Sequence, residues 1–306
     1  MPLKHLLHGL FGLAIGATSA LADDHKLDPN DPNDAITLNR KIHCSAEDGK
    51  DIVYHWQGRL YSRRQGERDR HLFNLQGMNV RQCVTVKDKK RGTGYRMVSR
   101  EIMLYLDPKT NEIIDEWENP FTGETVEVIH VANDPVNSRG ATFAKTRDGK
   151  DFTLPLRIKN GKVFMLAEVP LFYTNALGGD FQTYVGNHYH AMEIFDFIME
   201  EDDILDASSP VAFPTVAWVR IAQWLPWMEM GSRPGLMVAN AAGQKLNGIA
   251  ELPQVLRGAL EKRFPKYVSA PPPDDARPNE TSWTVFKKKL SERMAKEKKS
   301  ASAGGH

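Results

Sequence analysis

The sequence predicts a mainly β fold: a single antiparallel sheet that curls or closes into a β-barrel, followed by two C-terminal α-helices. Three observations carry this. Short β-like segments recur at a spacing of roughly ten residues from Ala35 onward, joined by turn chemistry. Asp148-Gly149 and Asn160-Gly161 are two-residue hairpin signals, because both turn positions call for positive φ. No helical pattern separates the strands before residue 250, which argues against a doubly wound α/β fold.

The first strand is Asp51 to Ser62 (DIVYHWQGRLYS), dense in β-branched and aromatic residues. Met97 to Leu106 and Glu112 to Trp117 flank a turn at Asp107-Pro108-Lys109-Thr110-Asn111. Thr125 to Val131 follows a second turn, Asn119-Pro120-Phe121-Thr122-Gly123. The hairpin signals delimit Ala141 to Thr146, Phe152 to Lys159 and Val163 to Glu168. At Glu251 to Phe264 the period changes: Pro253 suits a first helical turn, and Val255, Leu256, Ala259 and Leu260 recur at helical spacing. A stiff connector with Pro271-Pro272-Pro273 leads to Thr281 to Lys298, where Trp283, Phe286, Leu290 and Met294 form one stripe. The lysines at 287–289 read as the solvated face of that helix. The domain so defined spans 35–297, with a disordered lead-in at 23–34 and a disordered tail at 298–306.

Ahead of the domain, Lys4, the apolar run Leu6 to Ala17 and the small residues of Ala20-Leu21-Ala22 follow the plan of a signal peptide over 1–22, with cleavage expected before Asp23. That run is shorter than the ~20 residues that span a bilayer, and no later stretch approaches this length. The expectation is an exported protein, periplasmic or secreted, with no membrane span. The chain holds 40 basic and 39 acidic side chains, and Lys4 is the only one of them within the leader. A balanced mature chain has no electrostatic reason to hold nucleic acid. Cys44 and Cys83 are the only cysteines. In an oxidising compartment they are expected to form a disulfide, two separate buried thiols being the alternative.

Four segments carry candidate site residues. In YHWQGRLY, alternation puts Tyr54, Trp56 and Gly58 on one face and His55, Gln57, Arg59 and Tyr61 on the other. Gly58 beside Trp56 points to a strongly bent strand. The polar face either lines an interior that holds a polar group or faces water. Around Asn119-Pro120, Trp117 and Phe121 clamp a corner, and His130 continues the face of Val126 and Val128. In GNHYHAME, His188 and His190 share a strand face at a spacing that presents two imidazoles to one metal. Glu193 joins them only if a bulge intervenes. The same histidines, near-neutral in pKa, suit acid/base work or polar anchoring equally, and a structural role is the plain alternative. Lastly, AWVRIAQWLPWMEMG brings together Trp218, Trp224 and Trp227, half of the six tryptophans, either walling an apolar cavity or plugging one end of a barrel. No GxSxG, P-loop, dinucleotide fingerprint or HExxH occurs, and no cofactor is indicated.

Long stretches of the chain resemble a bacterial family catalogued as domain of unknown function 1838. The resemblance rests on YHWQGRLYSRRQGERDRHLFNLQGMNV, on YLDPKTNEIIDEWENPFTGETVEVIHVANDPV, and on WLPWMEMGSRPG with the later PNETSW. It covers residues 38 to 290 or so and implies an exported, mainly β protein. It supplies no activity and no catalytic residue.

From the residues, the first functional expectation is a cavity protein of lipocalin-like style that binds an apolar or aromatic small molecule. Tyr54, Trp56, Trp117, Asn119, Tyr189, Trp224 and Trp227 are its expected ligand contacts. His55, Arg59, His130 and His188 are the polar anchors; with one histidine moving a proton and Arg59 steadying the developing anion, they suit lyase or isomerase chemistry. The second expectation is a metal-dependent periplasmic oxidoreductase built on His188, His190 and Glu193. The third is a non-catalytic structural or assembly factor of the envelope. The ligand, the reaction and the oligomeric state have no signature in the chain.

Overall fold

A computed structural model describes residues 25–138 and 140–303; the expected signal peptide lies outside them. Four α-helices are present among these residues: α1 (Pro32–His43), α2 (Glu201–Leu205), α3 (Gln254–Lys262) and α4 (Ser282–Ala303). Two antiparallel meanders build the sheet. The first comprises β1 (Ile52–Arg63), β2 (Arg70–Asp88) and β3 (Gly92–Leu106). Short pieces follow: β4 (Glu116–Glu118) pairs with β5 (Thr125–Glu127) as a separate hairpin, while β6 (Val131–Asn133) and β7 (Thr142–Phe143) pair with β3. The second meander comprises β8 (Leu156–Lys159), β9 (Lys162–Thr174), β10 (His188–Glu200), β11 (Thr215–Ala222) and β12 (Leu236–Leu246). Pairing of β12 with β1, from Leu246↔Val53 to Leu236↔Arg63, joins both meanders into one ten-stranded antiparallel sheet.

The sheet curls but does not close into a barrel. Its edge strands β6 and β8 are three and four residues long, too short to complete a seam. The N-terminal half of α4 lies along that seam. It packs against β6 at one edge and, through Trp283 and Phe286, against Tyr189 on β10 and Phe181 near the other. The curl itself comes from small residues on the inner face. A Cβ at Gly58 would stand 2.2 Å from the Asn240 carbonyl oxygen, and one at Gly77 would stand 2.2 Å from the Trp56 ring. Gly243 and Ala241 face Trp56 and Gly58 across the β1–β12 pair. The missing side chain at Gly58 lets β12 approach β1 closely.

Asn160-Gly161 forms the β8–β9 turn with φ of 53° and 72°, as its chemistry predicts. The two late helices fall where helical spacing put them. α4 runs on to Ala303, past the expected start of a tail, because Ala and Lys sustain a helix. The start of the domain departs further from the reading. Much of the segment expected to be a disordered lead-in packs: Lys26 bridges to Asp206, and Leu27 is buried. Asp31 caps α1 by accepting from the Asn33 and Asp34 amides, with Pro32 at the first helical position. That cap signature, hidden in a polar stretch, starts a helix whose Ala35, Leu38 and Ile42 fill one end of the concave face.

Cys44, at the end of α1, is bonded to Cys83 on β2, with Cα atoms 5.9 Å apart. The C-terminal connector is tied down by Asp134, whose carboxylate receives Arg100 at 2.9 Å, Lys266 at 2.9 Å and Arg277 at 2.8 Å. Burial alone would raise this carboxyl; the three cations overcome that and hold it well below the usual carboxylate range.

Two outcomes are expected. Replacing both cysteines by serine lowers unfolding free energy by about 4 kcal/mol, the chain-entropy value for a loop of 39 residues, in denaturant titrations; a change below about 1 kcal/mol contradicts a native bridge. Because the folded pKa of Asp134 lies below the unfolded value of ~4, its contribution is complete above that pH and is lost on acidification through the folded pKa. Asp134→Asn should cost about 3 kcal/mol at pH 7 and remove that share of acid sensitivity, read as Tm against pH.

Candidate functional site

Side-chain alternation divides every strand of the large sheet between two faces. The concave face is packed at both ends. At one end α1, α2 and Leu27 meet Tyr54, Val163, Met165, Phe197 and Val216. At the other, the rings of Phe73, Tyr105, Trp117 and Trp227 pack edge-on or tilted with centroids 5.2 to 6.1 Å apart, and Trp224 and Trp283 are fully buried beside them. Between these ends lies a belt of side chains that keep solvent-accessible surface: Trp56, Glu101, Met103, Glu193, Phe195 and Arg220. Trp56 and Phe195 pack against both ends and so connect them across the belt.

The belt is charged. Arg220 Nη1 donates to Glu193 Oε1 at 2.9 Å, yet Arg220 and Glu193 keep 29% and 18% of their side-chain surface exposed. The phenols of Tyr189 and Tyr173 lie beside Arg220; burial works against its charge, but Glu193 and those phenols outweigh burial and hold its pKa up. Glu101 approaches from the other side of the curl. Five strand spacings separate β3 from β10 in the sheet, about 24 Å if it were flat, but Glu101 feels both Glu193 and Arg220. Burial is the main reason its carboxyl is pushed up to about 7; Glu193 adds to this, and Arg220 and Arg81 oppose it. Among the described residues Glu101 has no hydrogen-bond or ion-pair partner. One step along the sheet, Arg81 stacks over the Tyr54 ring at 4.7 Å and donates through Nε to Asn79 at 2.7 Å.

The sequence-derived candidates separate on this framework. Trp56 and Glu193 stand in the belt, and Tyr189 lies under it, buried, its phenol donating to the Gln223 carbonyl at 3.3 Å. Tyr54 is core, its hydroxyl bonded to the Ile42 carbonyl. Trp117, Trp224 and Trp227 are parts of a solid plug, so the expected tryptophan-walled void is filled by the rings themselves. Asn119 is buried and pins its corner, donating to the Met228 carbonyl at 2.8 Å and accepting from the Phe121 amide at 2.9 Å. His130 is buried; burial pushes its pKa down to about 4, with Asp115 only partly opposing. Its Nδ1 accepts the Tyr105 amide at 3.1 Å, which leaves the proton on Nε2 and holds the ring neutral.

His55 and Arg59 project from the convex face, on the side opposite Trp56. His55 meets Gln76 at 3.1 Å, and Arg59 helps line an open surface depression of about 350 Å³ with Gln57, Asn74, Gln76 and Asn111. His188 and His190 are also outward and exposed, with His188 stacked on Phe172 at 4.8 Å. The register of β10 runs without a shift from His188 to Glu200, so Glu193 faces inward and these three residues do not converge. Among the described residues no group of three or more His, Cys, Asp or Glu is placed to share a metal. Sequence reasoning missed Glu101, Arg81 and Arg220. Their signal is a charge inside an inward-facing row: Glu101 between Ser99 and Met103, and Arg220 between Trp218 and Ala222.

Comparison with curated proteins gives no match. Among solved structures, the chain shows a slight likeness to the attachment invasion locus protein Ail of Yersinia pestis, with 4% identity over 65% of this chain and 100% of that one. Its TM-score of 0.17 is too low to inform fold or function. The family profile described as "Protein of unknown function (DUF1838)" matches residues 49–290, from the threshold of β1 into α4. That span takes in the whole sheet, and the chain belongs to the DUF1838 family.

Proposed function

We propose that this is an exported binding protein for a small molecule with an aromatic or apolar body, held in the belt of the concave face. The observation that carries the reading is the belt itself, where Trp56, Met103 and Phe195 keep accessible surface between two tightly packed ends. Large apolar side chains seldom stay exposed deep within a fold unless a ligand covers them. The polar groups of the site are Glu101, Glu193 and Arg220, which replace the outward histidines as anchors. Export accords with the Cys44–Cys83 bond, since disulfides persist in oxidising compartments.

Titration with the neutral fluorescent probe N-phenyl-1-naphthylamine should show one saturable site. Met103→Trp, which fills the belt, should weaken it at least about tenfold, roughly 1.4 kcal/mol, while thermal unfolding stays cooperative. Equal affinity in the variant, or no saturable site, places the ligand elsewhere or nowhere.

A further inference from the structure

Next to the belt, Arg81 on β2 adds a positive charge beside Glu101, Glu193 and Arg220. Arg220 is neutralised by Glu193 in a direct ion pair. Arg81 is not neutralised: its Nε is bonded to Asn79, and its terminal nitrogens have only the Met97 sulfur, at 3.9 Å. Glu101 influences Arg81 but forms no ion pair with it among the described residues. A guanidinium presents a planar fork that matches a carboxylate, and the terminal nitrogens of Arg81 have no oxygen partner among the described residues.

The groups facing Glu101 leave it as the one whose charge changes near neutrality. Arg81 comes from β2 and Arg220 from β11, with Glu193 paired to the latter. The phenols of Tyr105, Tyr189 and Tyr173 are all raised by burial and stay neutral. Next to Arg81, Tyr54 is likewise raised, and Lys245 is engaged by the Lys41 and Cys44 carbonyls at 2.5 and 2.9 Å.

We propose that the ligand carries a single carboxylate beside its aromatic or apolar body, and that this group seats on the terminal nitrogens of Arg81 with Glu101 as a hydrogen-bond donor. This rests on the belt being the ligand site. A protonated Glu101 donates to the incoming carboxylate, whereas an ionised one repels it. With its pKa at about 7, affinity is high below neutrality and falls above it.

The test compares 2-naphthoate with neutral 2-naphthamide by isothermal titration calorimetry between pH 6 and pH 8. Naphthoate should bind about tenfold more weakly at pH 8 than at pH 6, and the amide should show no such dependence. Glu101→Gln, which donates at every pH, should flatten the naphthoate profile. Arg81→Lys, which keeps the charge but loses the fork, should weaken naphthoate about tenfold and leave the amide unchanged. Equal, pH-independent binding of both probes overturns the carboxylate assignment while leaving the belt as the site. Absence of binding by either probe, or binding unaffected by Met103→Trp, removes the belt reading and this inference with it.

Discussion

The close approach of backbone to side chain on the inner face of β1, β2 and β12 is the constraint on which everything else depends. Trp56 lies over Gly77 because no Cβ stands between them, and β12 reaches β1 at Gly58 for the same reason. Small residues there let a sheet of ten strands curl enough to bring β3 opposite β10. Without that curl, Glu101 and the Arg220–Glu193 pair would sit on a flat surface, separated and solvated. With it, they share a space of low polarity in which each charge alters the others.

Charged groups inside this fold come in two kinds, and the contrast supports the proposed site. Lys41 donates to the carbonyls of Asp203, Ile204 and Asp206, and Lys245 donates to those of Lys41 and Cys44. Both ammonium groups finish helix C-termini whose carbonyls lack partners, and burial lowers the pKa of each. They are structural fixtures, each ammonium group engaged by two or three backbone carbonyls. Arg81 and Glu101 lie close by and are not so engaged. Both keep solvent-accessible surface, so these polar groups are open to a ligand rather than closed off by the fold.

Much of the architecture was legible in the residues. Asn160-Gly161 fixed a hairpin, Trp283, Phe286 and Leu290 marked the docking stripe of α4, and alternation assigned Tyr54 and Trp56 to one face and His55 and Arg59 to the other. What alternation could not decide was which face is concave, because both hold apolar residues: the convex face of β1–β3 is covered by Leu256, Ala259 and Leu260 of α3. α1 escaped notice because its cap lies in a stretch whose composition reads as disordered. Closure could not be read either, since it depends on edge strands β6 and β8 failing to meet, a non-local outcome. The site was sought among histidines and tryptophans, chosen by residue type. The proposed site lies instead at charged positions within otherwise apolar inward rows, where residue type matters less than position.

Ligand binding as proposed requires a belt in the concave face that opens between Trp56 and Phe195. A crystal structure of the protein grown with 2-naphthoate tests this most directly. The account predicts ring density between those two side chains, with the carboxylate oxygens within hydrogen-bond distance of Arg81 and Glu101. A belt closed by its own side chains, with the naphthoate absent or bound on the convex face, would contradict it.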